Sequence, residues 1–179
     1  MAGSLRLVFL ALFVFAAAPA GAFELHSPAF TANGAVPARH TCDGENVSPP
    51  LDWTDPPEGT QSFALVVDDP DAPDPAAPRI RWVHWVVFEL PADTRVLKEG
   101  IRTTLDLPTG ARIANNDWGD PKWSGPCPPI GRHRYVFTLY ALDARLTTAT
   151  VLSKRSLEEA MAGHILGQAM LIGTYERSK

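Results

Sequence analysis

Only two cysteines occur in 179 residues, too few for a disulfide scaffold or a cysteine-based zinc module. There is no surplus of positive charge: 16 Lys and Arg stand against 20 Asp and Glu, a net charge of −4. A protein that coats nucleic acid needs the opposite balance, because neutralising phosphates takes Lys and Arg. Nucleic acid is therefore not an expected partner. The apolar run at residues 7–18 is 12 residues long. As a helix it would reach about 18 Å, against a hydrocarbon core of about 30 Å. No internal repeat is apparent and no linker divides the chain. What is abundant is apolar and ring-bearing: 45% hydrophobic residues, 17 Pro and 5 Trp. That composition belongs to a globular chain, and its length allows one domain with a substantial core.

Residues 1–22 read MAGSLRLVFLALFVFAAAPAGA. A basic start at Arg6, a short apolar stretch and the A-x-A ending Ala20-Gly21-Ala22 describe a secretory signal peptide. An uncleaved anchor is the competing reading, and it lacks a stop-transfer pattern. Cleavage would leave a chain of 157 residues, 23–179, read as a single domain. It would carry 15 basic and 20 acidic residues, with no transmembrane span, in the periplasm or outside the cell. Export permits oxidation, so Cys42 and Cys127 are open either to a disulfide or to two partly buried thiols. Sequence alone does not decide between these, since bridging depends on geometry.

Strand signals dominate the mature chain. Residues 62–67 (SFALVV), 82–90 (WVHWVVFEL) and 135–142 (YVFTLYAL) are apolar, β-branched and aromatic. They read as buried strands covered on both faces. One helix is expected from a capping box at Ser156-Leu157-Glu158-Glu159, with Leu157, Met161, His164, Ile165 and Gln168 following at helical spacing. Gly163 and Gly167 weaken it by about 1 kcal/mol each relative to Ala. Residues 170–175 read as a short final strand, and 91–97 as one helical turn. Residues 106–131 show neither period and hold four Gly, five Pro and two Trp. So long a segment without regular structure is usually functional or disordered. Trp118 and Trp123 argue for an ordered, ligand-facing loop.

Three places carry candidate chemistry. The string Asp68-Asp69-Pro70-Asp71-Ala72-Pro73-Asp74-Pro75 follows a strand. Its plain reading is a rigid acidic turn. A calcium loop beginning at Asp69 would need Gly sixth and Glu twelfth, where Asp74 and Ile80 stand. His84 lies within WVHWVVFEL, and period-two alternation puts Trp82, His84, Val86 and Phe88 on one face. A buried imidazole needs a partner, and Asp69 or Asp71 is the expected supplier. Third, a proline-stiffened stretch delivers His133 and Tyr135, of equal parity, to the start of a strand. A solvated strand edge is the plain reading of His133 and Arg134.

These stretches resemble the phosphatidylethanolamine-binding proteins, also called Raf-kinase-inhibitor-like proteins, in their bacterial and archaeal branch. The resemblance rests on DPDAP (69–73), on His84 within HWVVFELPADT (84–94), and on CDGENVSPPLDW (42–53), GPCPP (125–129) and HRYVF (133–137). It implies a mainly β fold: one large central sheet packed on a smaller sheet, with a C-terminal helix near a small anion-binding cavity. It implies a ligand site of Asp69, Asp71, Pro73, Trp82, His84, His133 and Tyr135, and Cys127 is counted with these as a candidate. Here Cys127 precedes Pro128, and only Arg132 separates Gly131 from His133. The loop is thus shorter than in animal and plant members, and their kinase partners do not carry over.

The expected function is an exported, non-catalytic binding protein for a small phosphoryl or other anionic head group. In this reading the two imidazoles and the phenol donate to the anion, and Asp69 orients one ring. It calls for no cofactor, no metal and no catalytic residue. One alternative is an inhibitor of a protease or kinase acting through residues 106–131. Lesser alternatives are a hydrolase using Cys127 as nucleophile beside His133 and a zinc site on two His and an Asp. No G-x-S-x-G motif is present.

Overall fold

A computed structural model describes residues 21–146 and 152–177. The expected leader at residues 1–22 lies almost wholly outside them. The described elements run β1 (Glu24–His26), β2 (Leu51–Thr54), β3 (Ser62–Asp69), β4 (Trp82–Pro91), β5 (Val96–Leu97), β6 (Arg112–Ala114), β7 (His133–Leu142), α1 (Lys154–Met161) and β8 (Ile165–Tyr175). Five strands form the large sheet in the order β6-β4-β3-β7-β8, and β1-β2-β5 form a small one. Every pairing within the sheets is antiparallel.

The continuously apolar strands are buried on both sides because each face has its own cover. Toward the small sheet, Phe63, Leu65, Val67, Trp85, Val87, Phe137 and Leu139 pack with Leu25, Leu51, Trp53 and Leu97. On the opposite face Ala64, Val66, Val83, Val86 and Phe88 meet Leu157 and Met161 of α1. Burying each large side chain contributes about 1.5–3 kcal/mol, so two residues suffice to dock so short a helix.

Alternation along β4 breaks twice. Val67 pairs with Trp85 and Asp68 with Val83, which leaves His84 as an extra residue. Phe63 pairs with Leu90 and Leu65 with Val87, which leaves one more residue, and Glu89 takes a positive φ of 59° there. A bulge shifts side-chain parity by one. Val86 and Phe88 therefore point toward α1, while Trp82 and His84 face a cavity on the other side. The expected common face of these four residues does not exist.

The helix also begins earlier than expected. Ser153 is its N-cap: the side chain accepts from the Ser156 amide, and Ser156 answers at the Ser153 amide. Ser156 is thus the fourth and last residue of the box, not its first. The helix stops at Met161, and Gly163 turns the chain at φ 82°. Ile165 and Gln168 belong to β8, which is 11 residues long and pairs with β7 along its whole length. Tertiary pairing overrides the helical spacing here. A side chain at Gly167, within this strand, would press against Pro57. Within 91–97 the chain turns at Pro91–Thr94 and then pairs as β5 with β2. Residues 106–131 contain β6, an edge strand on β4. Among the described residues no helix is long and apolar enough to cross a membrane.

Candidate functional site

A cavity of about 220 Å³ opens where the end of β3, the turn after it and the starts of β4 and β7 converge. Asp69, Pro73, Trp82, His84, Cys127, His133 and Tyr135 all line it. Three chain segments far apart in sequence therefore do meet. Ala72, Ile80, Trp118, Pro128 and Pro129 complete the wall. No Lys or Arg is among the lining residues.

Each polar group has a defined setting. His133 is fully buried, and its Nδ1 donates to Asp69 Oδ2 at 2.6 Å. Its Nε2 lies 3.0 Å from the Ile130 carbonyl oxygen. Both ring nitrogens thus face protein acceptors, and neither is left for a ligand. Asp69 is held in turn by the Asp71 amide, which donates to Oδ1. The His84 ring donates from Nδ1 to the Ser124 carbonyl, while the His84 carbonyl accepts from the Ser124 amide. This double clamp secures the bulge and fixes the tautomer. Nε2 then has no protein partner among the described residues and is the ring's open position toward the cavity. Burial depresses the His84 pKa below its ordinary value, outweighing nearby Asp69, Asp68 and Asp117. Burial likewise pushes the Tyr135 phenol far up, outweighing the nearby Cys127 backbone amide, so it keeps an O–H to donate.

Among the described residues five buried side-chain polar atoms lack a hydrogen-bond partner, and two of them, Trp82 Nε1 and Tyr135 Oη, belong to side chains that line the cavity. An orphaned buried donor costs about 1–3 kcal/mol. Around these atoms the aromatic rings meet edge to face. His84 lies 5.1 Å from both Tyr135 and Trp118, and Trp118 lies 5.2 Å from Trp82.

The wall is stiff because its loops are tied. The Cys42 and Cys127 sulfurs are bonded, and the Cys42 amide donates to the Pro126 carbonyl. A Cβ at Gly125 would fall 2.1 Å from the His40 carbonyl oxygen, so only glycine admits that approach. The Asp117 carboxylate accepts from the Val83 amide, and Asn116 accepts from the amides of Trp118 and Asp120.

A family model described as phosphatidylethanolamine-binding protein matches residues 26–176. The chain belongs to this family. A UPF0098 protein of Methanothermobacter thermautotrophicus is 48% identical over 154 residues, covering 86% of this chain and 99% of the relative. The UPF0098 protein YbhB of Escherichia coli is 40% identical over 139 residues, covering 74% and 80%. Among solved structures, a putative phosphatidylethanolamine-binding protein homologue from Chlamydia trachomatis superposes with a TM-score of 0.79. It is 38% identical and is covered over 99% of its length by 88% of this chain. Escherichia coli YbcL, described as a new member of the mammalian family, gives 0.78 at 31% identity, covering 87% of this chain and 99% of its own.

The phosphatidylethanolamine-binding protein fold expected from sequence is thus present, with two departures at the cavity. Asp71 does not line it. Its carboxylate takes both Arg134 Nε at 2.9 Å and Nη2 at 2.6 Å, and the Arg134 amide as well. The arginine's hydrogen bonds hold the Asp71 pKa below its usual value. Its role is to brace the turn against β7. His84, in turn, bonds a loop carbonyl rather than Asp69 or Asp71. Helix α1 contributes nothing to the wall.

Trp118 and Pro129 join the site without having been singled out as ligand contacts. The pattern-free loop was their only signal, and it is partly what it suggested: Trp118 is 47% exposed at the mouth, while Trp123 is buried against Trp85 and Phe137. The disulfide removes the Cys127 thiolate that a cysteine nucleophile would need. Among the described residues no three His, Cys, Asp or Glu side chains converge as a metal site requires.

Proposed function

We propose that the protein is an exported, non-catalytic binding protein whose cavity takes a small phosphoryl or other anionic head group. The observation that carries this reading is the pair of buried, unpartnered donors, Trp82 Nε1 and Tyr135 Oη, on side chains that line a rigid hollow beside His84. Acceptor oxygens of a ligand would satisfy both. The family to which the chain belongs supports the same reading. Isothermal titration with inorganic phosphate and with phosphoethanolamine tests it. Binding to the wild type, weakened at least tenfold in a Trp82→Phe/Tyr135→Phe double variant, is expected. No binding, or equal affinity in the variant, would overturn it.

The leader-like residues 1–22 and the Cys42–Cys127 bond support export, since disulfides persist in oxidising compartments. N-terminal sequencing of the mature protein should begin at Phe23; an intact leader on cytoplasmic protein would refute this. A protein target is the second reading. It is favoured by three exposed apolar side chains near the mouth, Ile80, Trp118 and Ile130, rather than by a projecting 106–131 loop. Capture of a partner by the wild type but not by Ile80→Ser/Ile130→Ser would support it.

A further inference from the structure

The Cys42–Cys127 bridge stands at the cavity, where Cys127 lines the wall with Pro128 and Pro129. Both cysteines are exposed. Exposed bridges are the ones that exchange readily with thiols, whereas a bridge sealed in a core lies out of a reductant's reach. The loop that carries Cys127 is held in two different ways. Up to residue 126 it is bonded through its backbone: Ser124 to His84 in both directions, the Gly125 amide to Asn46 Oδ1, and the Pro126 carbonyl to the Cys42 amide. After Cys127 come two prolines, which have no amide hydrogen, and the Cys127 amide has the Tyr135 hydroxyl as its neighbour. Among the described residues the next backbone anchor is the Ile130 carbonyl, at His133 Nε2. Between these anchors the sulfur bond is what fixes the wall.

Building on the binding reading above, we infer that this bridge is a thiol–disulfide exchange site that sets the affinity of the cavity, with a dithiol reductant as its partner. One thiolate of the reductant attacks a bridge sulfur. A mixed disulfide forms, the Cys42–Cys127 bond breaks, and the other cysteine leaves as a thiolate and takes up a proton. The reductant's second thiolate then attacks the mixed disulfide and expels the remaining cysteine, which is protonated in turn. The bridge thus gains two electrons and two protons, and the reductant departs as its own disulfide. Segment 127–129 is then held only at its ends. A wall that must be ordered at each binding event costs affinity that a preformed wall does not. The Tyr135 hydroxyl, beside the Cys127 amide, is the donor closest to the change. The fold survives it, because the apolar clusters on the two faces of the large sheet contain neither cysteine.

The test treats the full mature protein with dithiothreitol under native conditions near neutral pH. Maleimide labelling counts the thiols, circular dichroism follows the fold, and calorimetry reads phosphate affinity in the oxidised, reduced and reoxidised protein. The bridge should open in the folded protein, phosphate affinity should fall at least tenfold, and reoxidation should restore it. Cys42→Ser/Cys127→Ser should bind as the reduced protein does. In nitrogen-15 spectra without ligand, reduction should shift the indole N–H signals of Trp82 and Trp118, which line the cavity, and leave those of Trp53 and Trp85 in the core unmoved. A bridge that yields only on unfolding, a protein that unfolds once reduced, or equal phosphate affinity in the two folded forms would overturn this inference while leaving the anion-binding reading intact. If the oxidised protein takes no phosphate, the anion-binding reading falls and the indoles decide the switch: shifts at Trp82 and Trp118 uphold it, and unmoved signals overturn it. Should the double variant not fold, the reduced and reoxidised wild type give the answer.

Discussion

Replacing Tyr135 by Phe separates ligand binding from stability, because its hydroxyl is buried without a partner. The ring packs in the core at 1% exposure, and Phe preserves that packing. What leaves is one desolvated O–H. An unpaired buried polar group costs about 1–3 kcal/mol, and removing it recovers part of that. The ligand-free variant should therefore be as stable as the wild type or more stable by about 1–2 kcal/mol. For a chain of this size that is about 2–6 °C in Tm. A hydrogen bond to a charged group contributes about 1.5–3 kcal/mol. Phosphate affinity should accordingly fall about 10- to 100-fold, at 1.4 kcal/mol per decade. Urea unfolding without phosphate and calorimetric titration with it read the two quantities on the same samples. A variant destabilised by more than about 1 kcal/mol with unchanged phosphate affinity would refute the reasoning. The hydroxyl would then have a structural partner and no ligand role.

Asp71→Ala should cost about 1–3 kcal/mol in urea unfolding, since it strips a buried carboxylate from the Arg134 fork and amide. Phosphate affinity should move by less than threefold, and a tenfold loss would place Asp71 at the ligand after all. Reducing the Cys42–Cys127 bond, which closes a separation of 85 residues, should lower stability by about 2–4 kcal/mol in thermal unfolding with and without reductant; equal transitions would contradict this. For His84 the folded pKa is depressed, so its contribution is complete above the unfolded value of about 6.5 and is lost as pH falls through the folded value. Between pH 6.5 and 5 the wild type should lose up to about 1.4 kcal/mol per pH unit more than His84→Gln. Parallel stability curves for the two proteins would disprove the assignment.

Residues 62–67 and 135–142 are short apolar runs rich in β-branched and aromatic side chains, which pack well on a pleated surface, and both are buried strands. Parity alone places His133 and Tyr135 on a common face of β7, and both line the cavity. Chain-local chemistry of this kind was readable, as was the acidic proline turn that carries Asp69. Pairing between distant groups was not. Whether Asp69 or Asp71 holds an imidazole depends on Arg134 arriving to claim Asp71 and on Ser124 arriving to claim His84. The extra residue at His84 appears only when β4 is laid against β3, and it reverses the face of Val86 and Phe88. Residues 165–168 carry a helical spacing, yet β7 offers them a ladder of backbone bonds that one further turn of helix could not match. Cys42 and Cys127 are joined because the close approach at Gly125 brings two loops together. Composition and period settle which residues leave water. Which polar atom meets which, and so what the hollow accepts, is set only when the strands pack.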